Sequence, residues 1–446
     1  MSKIPEPTSI FLFAACLVFS LTAWCSEGWH HPDEHFQLLE PALFKMGSVP
    51  VSDLAWEYAA RIRPGLQPFI AFFCLKSLFW TGVQDPFYQA FLLRLLSGGL
   101  SFGAMFLWLR RLNVQYPVLA GGCSCLLWYG VLLVWFVPYL AVRFSSENWA
   151  AFVFLYGLYL ITLSPHGKVS VSGGALYVGG FLVGLSFFLR FQMAFCLAGL
   201  AAWLIFVQKL RDARWLWLSA GGALSVLTGI LADEWLYGHW EMTAMNYFTA
   251  NITENKAALW GVSPWWFYFP AFFMAALPPV SFLLAAAALY GAFRWPKHVF
   301  VWITVPFILL HSAVGHKELR FLFPVVLPFL VIAMLGISSL PAHLVRNRLW
   351  KYFTLCCLFI NFVALCARML LPAQEALPTL RYVVRQHRQE AVTLFCVQKN
   401  PFNMVGLNTH FYQPADMRIV VLPDIQSLDS CHIPARALLL YPYLRL

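Results

Sequence analysis

Long apolar runs separated by short polar links dominate the chain. The runs are Ile10–Trp24, Leu66–Trp80, Phe87–Leu109, Tyr116–Val142, Trp149–Leu163, Ala175–Leu189, Met193–Val207, Trp215–Leu231, Trp265–Phe293, Val299–Val314, Phe321–Leu340 and Tyr352–Leu371. A helix needs about 20 apolar residues to cross about 30 Å of hydrocarbon, so this spacing predicts about ten to thirteen spans. Backbone polar groups cannot lie unsatisfied in lipid, so each run is expected to be helical. After Leu371 the pattern changes, and charged and turn residues surround short β-like runs such as Met417–Leu422. The expected fold class is an all-α polytopic membrane protein, residues 1–371, with a small α/β C-terminal extramembrane tail, residues 372–446. A tail of roughly seventy residues needs support from the membrane part to stay folded. No internal repeat of the transporter kind is visible.

The links sort by charge. Lys3, Arg110–Arg111, Lys168, Lys209–Arg211–Arg214, Arg294–Lys297 and Arg346–Arg348–Lys351 form a basic set, which the positive-inside tendency places in the cytoplasm. The alternate links, Ser26–Gly65, Arg143–Asn148, Tyr237–Ser263 and Gly315–Arg320, then face outward, as does the tail. The pair Leu66–Trp80 and Phe87–Leu109 breaks the alternation. Either one of the two is re-entrant, or Tyr116–Val142 contains a tight hairpin. The first run follows Lys3 and has the length of a secretory signal, but Trp24 stands where cleavage needs a small residue, so the run is expected to be retained as a span.

Composition agrees with a membrane protein. Hydrophobic residues make up 60% and charged residues 11%, against about 25% charged in soluble domains. The formal charge of +10 comes from 30 Lys+Arg and 20 Asp+Glu. That excess lies mostly in the links, so it reads as membrane orientation, and no nucleic-acid partner is expected. Of the 11 cysteines, nine lie in or beside apolar runs, where they behave as small hydrophobes. Cys396 and Cys431 in the tail form a disulfide pair only in an oxidising compartment.

Candidate chemistry concentrates in the first outer link, residues 26–65. It holds Glu27, Asp33, Glu34, Glu40, Asp53 and Glu57, out of 20 acidic residues in the chain. Its opening, Trp29-His30-His31-Pro32-Asp33-Glu34-His35, places Pro32 where a helix begins and two carboxylates in the first turn. A carboxylate held ionised at the water boundary is suited to accept a proton from a sugar hydroxyl. The plainer reading is an acidic interfacial helix. His31, Asp33 and His35 are common metal ligands, but their spacing does not put all three on one helical face, and no metal or other cofactor is expected. A second outer link reads Gly315-His316-Lys317-Glu318-Leu319-Arg320. Charges beside lipid are costly unless paired or functional. On a helix, Lys317 and Arg320 would share a face and, with His316, bind a phosphate headgroup. The plainer reading here is an interfacial anchor. Trp56, Glu57, Arg61 and Arg63 close the first link. Tyr237 leads through Asn251 to the aromatic stretch Pro264–Phe269, which is either a sugar platform or an interfacial belt.

Taken in order, His31-Pro32-Asp33-Glu34, then Trp56-Glu57-Tyr58 with Arg61 and Arg63-Pro64, then His316-Lys317-Glu318-Leu319-Arg320-Phe321, the chain resembles the family 22 mannosyltransferases of the GT-C superfamily. Arg143-Phe144-Ser145-Ser146-Glu147-Asn148 loosely resembles that family's Arg-Thr-Leu-Ser-Asn segment, and Tyr237–Phe269 its Tyr-Gly-Trp…Pro-Trp-Tyr-Phe pattern. The resemblance covers about Trp24 to Pro324. It implies a GT-C helical bundle with two amphipathic helices in the first outer link. It implies a polyprenyl- or dolichyl-phosphate mannose donor, a lipid-linked glycan acceptor, and inversion at the anomeric carbon. Asp33 matches the acidic loop residue that acts as general base, with Glu34 beside it. Substrate contacts are carried over to His31, His35, Trp56, Glu57, Arg61, Arg63, Arg143, Asn148, Tyr237, Asn251, His316, Lys317, Glu318 and Arg320. No nucleotide is implied, and no Asp-x-Asp motif lies in an outer link.

The chain departs from the pattern at Phe144 and Glu147, and its tail, with Phe395-Cys396, Pro401 and His410, only faintly echoes the Cys-His-x-Thr-Pro tail of the enzyme that adds the third mannose to the GPI anchor. These departures leave the acceptor open, and the setting expected is either a bacterial inner membrane with a periplasmic active site or the endoplasmic reticulum membrane with a lumenal one. Two alternatives stand beside this reading: a secondary transporter, which would bury its charges at mid-membrane, and a GT-C transferase of another family acting on protein or lipid A.

Overall fold

The computed structural model describes residues 9–116, 122–162, 172–210, 212–387, 391–403, 406–414, 416–429, 433–434 and 436–440. Lys3, Lys168, Arg211 and Cys431 lie outside these residues, so the structure does not bear on the Cys396–Cys431 pairing. Among the described residues, four helices are long and apolar enough to cross a membrane: Pro86–Gln115, Arg214–Tyr237, Leu319–Ser338 and Arg348–Leu370. Six shorter apolar helices accompany them, including Ser9–Cys25, Leu66–Trp80 and Gly173–Leu189. The chain is an integral membrane protein. It divides into two compact units, each assembled from separate stretches of sequence.

The first unit comprises Met1–Cys25, Arg61–Gln67 and Arg94–Leu371. Its helices approach closely where small residues face one another. A Cβ on Gly180 would lie 2.4 Å from the Leu218 carbonyl oxygen, and one on Gly221 2.0 Å from that of Tyr177. Apolar side chains cannot drive helix association in lipid, so such backbone proximity is what van der Waals packing exploits there. Other helices present apolar surface outward. On Arg348–Leu370, Leu349, Leu355, Phe359 and Phe362 are exposed, as suits a lipid-facing surface.

Two of the apolar runs are broken, Tyr116–Val142, where a tight hairpin is one of the two alternatives read from the sequence, and Trp265–Phe293. The run Tyr116–Val142 contains the helices Gly122–Leu132 and Phe136–Ala141. The freed backbone groups at the break are satisfied by buried Asn361, whose Oδ1 accepts from the Trp135 N–H (2.9 Å) and whose Nδ2 donates to the Leu133 carbonyl (2.8 Å). Non-helical backbone within a membrane protein's bundle needs partners of this kind. The run Trp265–Phe293 splits into Tyr268–Ala275 and Val280–Arg294, because Pro278 and Pro279 lack the N–H that would continue the first helix.

The second unit comprises Ser26–Ala60, Pro68–Leu93 and Pro372–Leu446. The acidic link 26–60 falls in the same unit as the tail. Short pieces make up that link: helices Asp33–Phe36, Leu39–Lys45 and Trp56–Ala59 and a 3₁₀ turn Val51–Asp53. In the tail, the helix Leu377–Gln386 buries Leu377, Leu380, Val383 and Val384, a one-sided apolar stripe of helical period. It leads into a parallel sheet of β1 (Val392–Val397), β2 (Met417–Leu422) and β3 (Ala437–Leu440), ordered β2-β1-β3. Five of the six β1 residues are buried, as expected of a central strand covered on both faces. Cys396 lies in this strand, and burial pushes its thiol up to about 11. The segment that follows the first helix is tied to the start of the tail: the Glu27 carbonyl accepts the N–H groups of Ala373 (2.8 Å) and Gln374 (3.0 Å), and its carboxylate pairs with Arg381.

Candidate active site

In the second unit, Pro32 is the residue from which the Asp33–Phe36 helix starts, and both Asp33 and Glu34 lie in its only turn. Four residues make little macrodipole and cannot nucleate alone, so side chains must hold the turn. His31 Nδ1 lies 3.3 Å from the Asp33 carboxylate and accepts the Asp33 N–H at 3.3 Å. Glu34 folds back to accept the His30 N–H at 3.1 Å. The two adjacent carboxylates therefore differ: Glu34 closes the loop, while Asp33 stands beside an imidazole with 17% of its side chain exposed. His35 is turned to Glu40, its Nε2 donating at 2.7 Å with both side chains 1% exposed. Glu57 accepts from Gln37 Nε2 at 3.0 Å, and Trp56 is exposed. Asp53 pairs with His410 at 2.8 Å. Burial raises the Asp53 carboxyl, but hydrogen bonds from His410 and Ser52 outweigh it and hold the group below its usual value.

In the first unit, the Arg61–Gln67 segment is strapped along the end of the Arg214–Tyr237 helix. Arg61, in a left-handed conformation at φ 53°, pairs with Glu241 at 2.5 Å, and its carbonyl accepts from Asn246. The Arg63 carbonyl accepts from the Tyr237 hydroxyl at 2.8 Å. The Gly65 N–H donates to buried Asp233 at 2.7 Å, and Thr243 donates to the same carboxylate. Glycine is required at 65, because a Cβ there would lie 2.2 Å from the Ala232 carbonyl oxygen. Tyr237 thus serves as an anchor of the strap. Asn251 binds the Tyr247 carbonyl at 2.9 Å, inside its own helical turn.

A buried ion network forms the charged centre of this unit. Glu147 accepts from Arg190 at 3.0 Å and from Arg320 at 3.1 Å, with all three side chains at most 8% exposed. Arg320 also holds Glu318, Nε to Oε2 at 2.6 Å, and Glu318 in turn meets His316 Nε2 at 3.0 Å. Arg190 donates to the Ser146 hydroxyl at 2.9 Å as well. Arg63 and Arg320 both repel Arg190 electrostatically, so three guanidiniums share this region with the carboxylates of Glu147 and Glu318. Breaking such a buried pair by removing one charge is strongly destabilising.

The helical-face expectation for Lys317 and Arg320 is corrected. The 3₁₀ helix begins only at Leu319, and Glu318 before it is extended. Lys317 is buried, and its ammonium donates to the carbonyls of Ser263, Val314 and Gly315. Desolvation holds its pKa below the ordinary value. Three carbonyl partners match its three protons, so Lys317 organises the loop around it. In the Arg143–Asn148 link, Ser145 caps the next helix and Asn148 Nδ2 bonds the carbonyls of Ala141 (2.7 Å) and Arg143 (2.8 Å). Arg143 is 1% exposed and lies over the Tyr139 ring. These two side chains shape the turn that presents Glu147.

Sequence reasoning missed Arg190 as a member of the buried ion network and His410 as the partner of Asp53, and it counted Glu40 in the acidic link without its partners His35, His410 and Phe411. A signal for Arg190 existed: it is the lone charge between Ala175–Leu189 and Met193–Val207, and an ionisable residue set among apolar runs is a functional candidate by default. Among the described residues, no group of three or more His, Cys, Asp or Glu side chains is gathered as a metal site.

Comparison with known proteins follows the same direction. The profile of the Alg9-like mannosyltransferase family matches residues 9–419. The Arabidopsis thaliana protein Mannosyltransferase APTG1 is 24% identical over 337 residues, 74% of this chain and 58% of its own length. GPI mannosyltransferase 3 of Yarrowia lipolytica is 26% identical over 331 residues, 74% of this chain and 62% of its own. The chain thus spans about three-fifths of the length of these relatives. Among solved structures, ArnT from Cupriavidus metallidurans bound to undecaprenyl phosphate superposes with a TM-score of 0.58 at 14% identity, over 94% of this chain and 90% of that one. At that identity the likeness establishes the GT-C type of helical fold.

Proposed function

We propose a function from one premise: the chain belongs to the Alg9-like mannosyltransferase family. It transfers mannose from a polyprenyl- or dolichyl-phosphate carrier to a hydroxyl of a lipid-linked glycan, at the extracytoplasmic face of its membrane. The observation that supports this reading most is the Asp33 carboxylate of the second unit, which stands beside the His31 imidazole with 17% of its side chain exposed and so suits a base.

The reaction is a single displacement. The acceptor oxygen bonds the anomeric carbon as the carbon–oxygen bond to phosphate breaks, and the lipid phosphate leaves with the electron pair. Asp33 takes the acceptor's proton, a role for which its partial exposure and neighbouring imidazole suit it. Attack from the side opposite the leaving group inverts the anomeric centre, as in inverting glycosidases. A departing phosphate calls for positive charge, and within the first unit Arg190 and Arg320 are buried guanidiniums of the kind that supplies it. Guanidiniums suit this work because their planar forks match phosphate oxygens.

Purified protein in lipid nanodiscs, given polyprenyl-phosphate mannose and lipid-linked glycan acceptors, is expected to form a mannosylated product with inverted configuration. GDP-mannose should not replace the lipid donor. Use of the nucleotide sugar alone would overturn the donor assignment, and failure with every lipid donor would restore the transporter alternative. A reporter fused after Leu446 that works only in the cytoplasm would contradict the outward placement of the tail.

A further inference from the structure

We infer that Glu40, through His35 and the tail loop at 409–412, is the positioning residue that fixes the direction of Asp33; this rests on the reading of Asp33 as the base. The Asp33–Phe36 helix is four residues long, too short to define its own geometry. Its one deeply buried polar anchor is His35, two residues beyond Asp33. The His35 ring is stacked on Tyr412 (5.6 Å, 13°) and packed against Trp29 at 4.6 Å, and its Nε2 donates to Glu40 at 2.7 Å. What holds His35 therefore sets the orientation of the turn that carries Asp33.

Glu40 is 1% exposed, and its Oε1 gathers three donors: His35 Nε2, the His410 N–H at 2.9 Å and the Phe411 N–H at 3.2 Å. None of the three is a guanidinium or an ammonium. A buried carboxylate needs such donors to be tolerated, and hydrogen bonds to an ionised acceptor are the strong kind. One oxygen atom thus joins the helix of the base to a loop some 370 residues away in sequence. The loop has a second tie, from His410 Nε2 to Asp53 Oδ2 at 2.8 Å, so it is fastened to the acidic link at two points. Tyr412 completes the clasp, stacking on Trp29 and packing on Phe87 at 5.1 Å. The tail, which carries none of the residues assigned to substrate, becomes a condition of catalysis.

The test compares the full chain with Glu40→Gln and His410→Ala in nanodiscs, by steady-state transfer from polyprenyl-phosphate mannose and by hydrogen exchange of the backbone. Glu40→Gln keeps the side-chain volume and one acceptor oxygen but loses the charge. His410→Ala leaves all three Glu40 donors in place and serves if the first variant is poorly folded. The expected result for Glu40→Gln is a kcat lower by about 10- to 100-fold, as for a misplacement of about 1 Å, with the KM of donor and acceptor within about twofold. Exchange at residues 33–36 and 409–412 should rise together. His410→Ala should show the same split, more weakly. An unchanged kcat in Glu40→Gln overturns the inference, and so does a reduced kcat with exchange at 33–36 unaltered. If the wild-type chain transfers no mannose, the functional reading fails on its own. The exchange data then still decide whether Glu40 holds the helix, and unaltered exchange at 33–36 overturns that too.

Discussion

Both units bury a glutamate almost completely, and they neutralise it in opposite ways. In the first, Glu147 is met by two guanidiniums, Arg190 and Arg320, with Arg63 close enough to repel Arg190. In the second, Glu40 is met by an imidazole and two backbone N–H groups. With Glu147 and Glu318 stand the guanidiniums of Arg190, Arg320 and Arg63, whereas the link that carries Glu40 also carries Asp33, Glu34, Asp53 and Glu57. In the function proposed, a leaving phosphate calls for guanidiniums and an acceptor hydroxyl for a carboxylate, so the kind of partner, more than the presence of buried charge, is what the contrast turns on.

The largest effect is expected at Asp33. Asp33→Asn should preserve folding and donor binding and lower kcat by about 10²–10⁴-fold, the usual contribution of a general base. Glu34→Gln should suffer less, because Glu34 accepts the His30 N–H and closes the loop. The check is single-turnover transfer by both variants alongside binding of a polyprenyl phosphate. Near-normal turnover in Asp33→Asn with a dead Glu34→Gln would move the base by one residue, and activity in both would remove the acidic unit from the chemistry.

Next comes the stability of the positive cluster. Glu147→Gln leaves Arg190 and Arg320 buried without their shared counter-charge, which should cost about 3–5 kcal/mol and lower the melting temperature in detergent. Glu40→Gln should cost less, because its donors include no fixed charge. Equal losses at the two glutamates would erase the contrast. A smaller step follows within the cluster: Arg190→Gln and Arg320→Lys should weaken donor use, a charge-assisted hydrogen bond being worth about 1.5–3 kcal/mol. Unchanged donor kinetics in both would show that these guanidiniums serve structure alone.

The two units were unequally legible in the sequence. Helical spans, the tail and strand β2 follow from local pattern, because apolar period and turn residues act over a few positions. The acidic turn after Pro32 and the charged link before Leu319 were visible for the same reason. Hidden were the relations that need distant residues. Nothing near Glu40 announces that its partners are His410 and Phe411, and nothing near Asn361 announces the break it seals at 133–135. Lys317 shows the converse. Its motif is conspicuous and its residue type suits phosphate, yet its protons go to three carbonyls, because the loop is extended where helical spacing had been expected.

The smallest effect is expected at the second fastening of the tail loop, and its sign can be worked out. Asp53 has an ordinary value of 3.8; burial raises it, and the hydrogen bonds from His410 and Ser52 lower it further than burial raises it. The folded value lies below the unfolded one, so the carboxylate's contribution to stability is complete above the unfolded value. It is lost as pH falls through the folded value. The contribution is modest, because both side chains of the pair are 27% exposed, and partly solvated ion pairs typically contribute about 0.2–1 kcal/mol. On this account the part of the exchange protection at 409–412 that depends on the Asp53 carboxylate should decline as pH falls below about pH 4. Asp53→Asn should lower protection of that loop by a few-fold at neutral pH and remove the acid-dependent part of the difference from wild type. The buried Glu40 tie should persist in that variant, so protection falls without vanishing. Protection identical to wild type at every pH would take Asp53 out of the clasp.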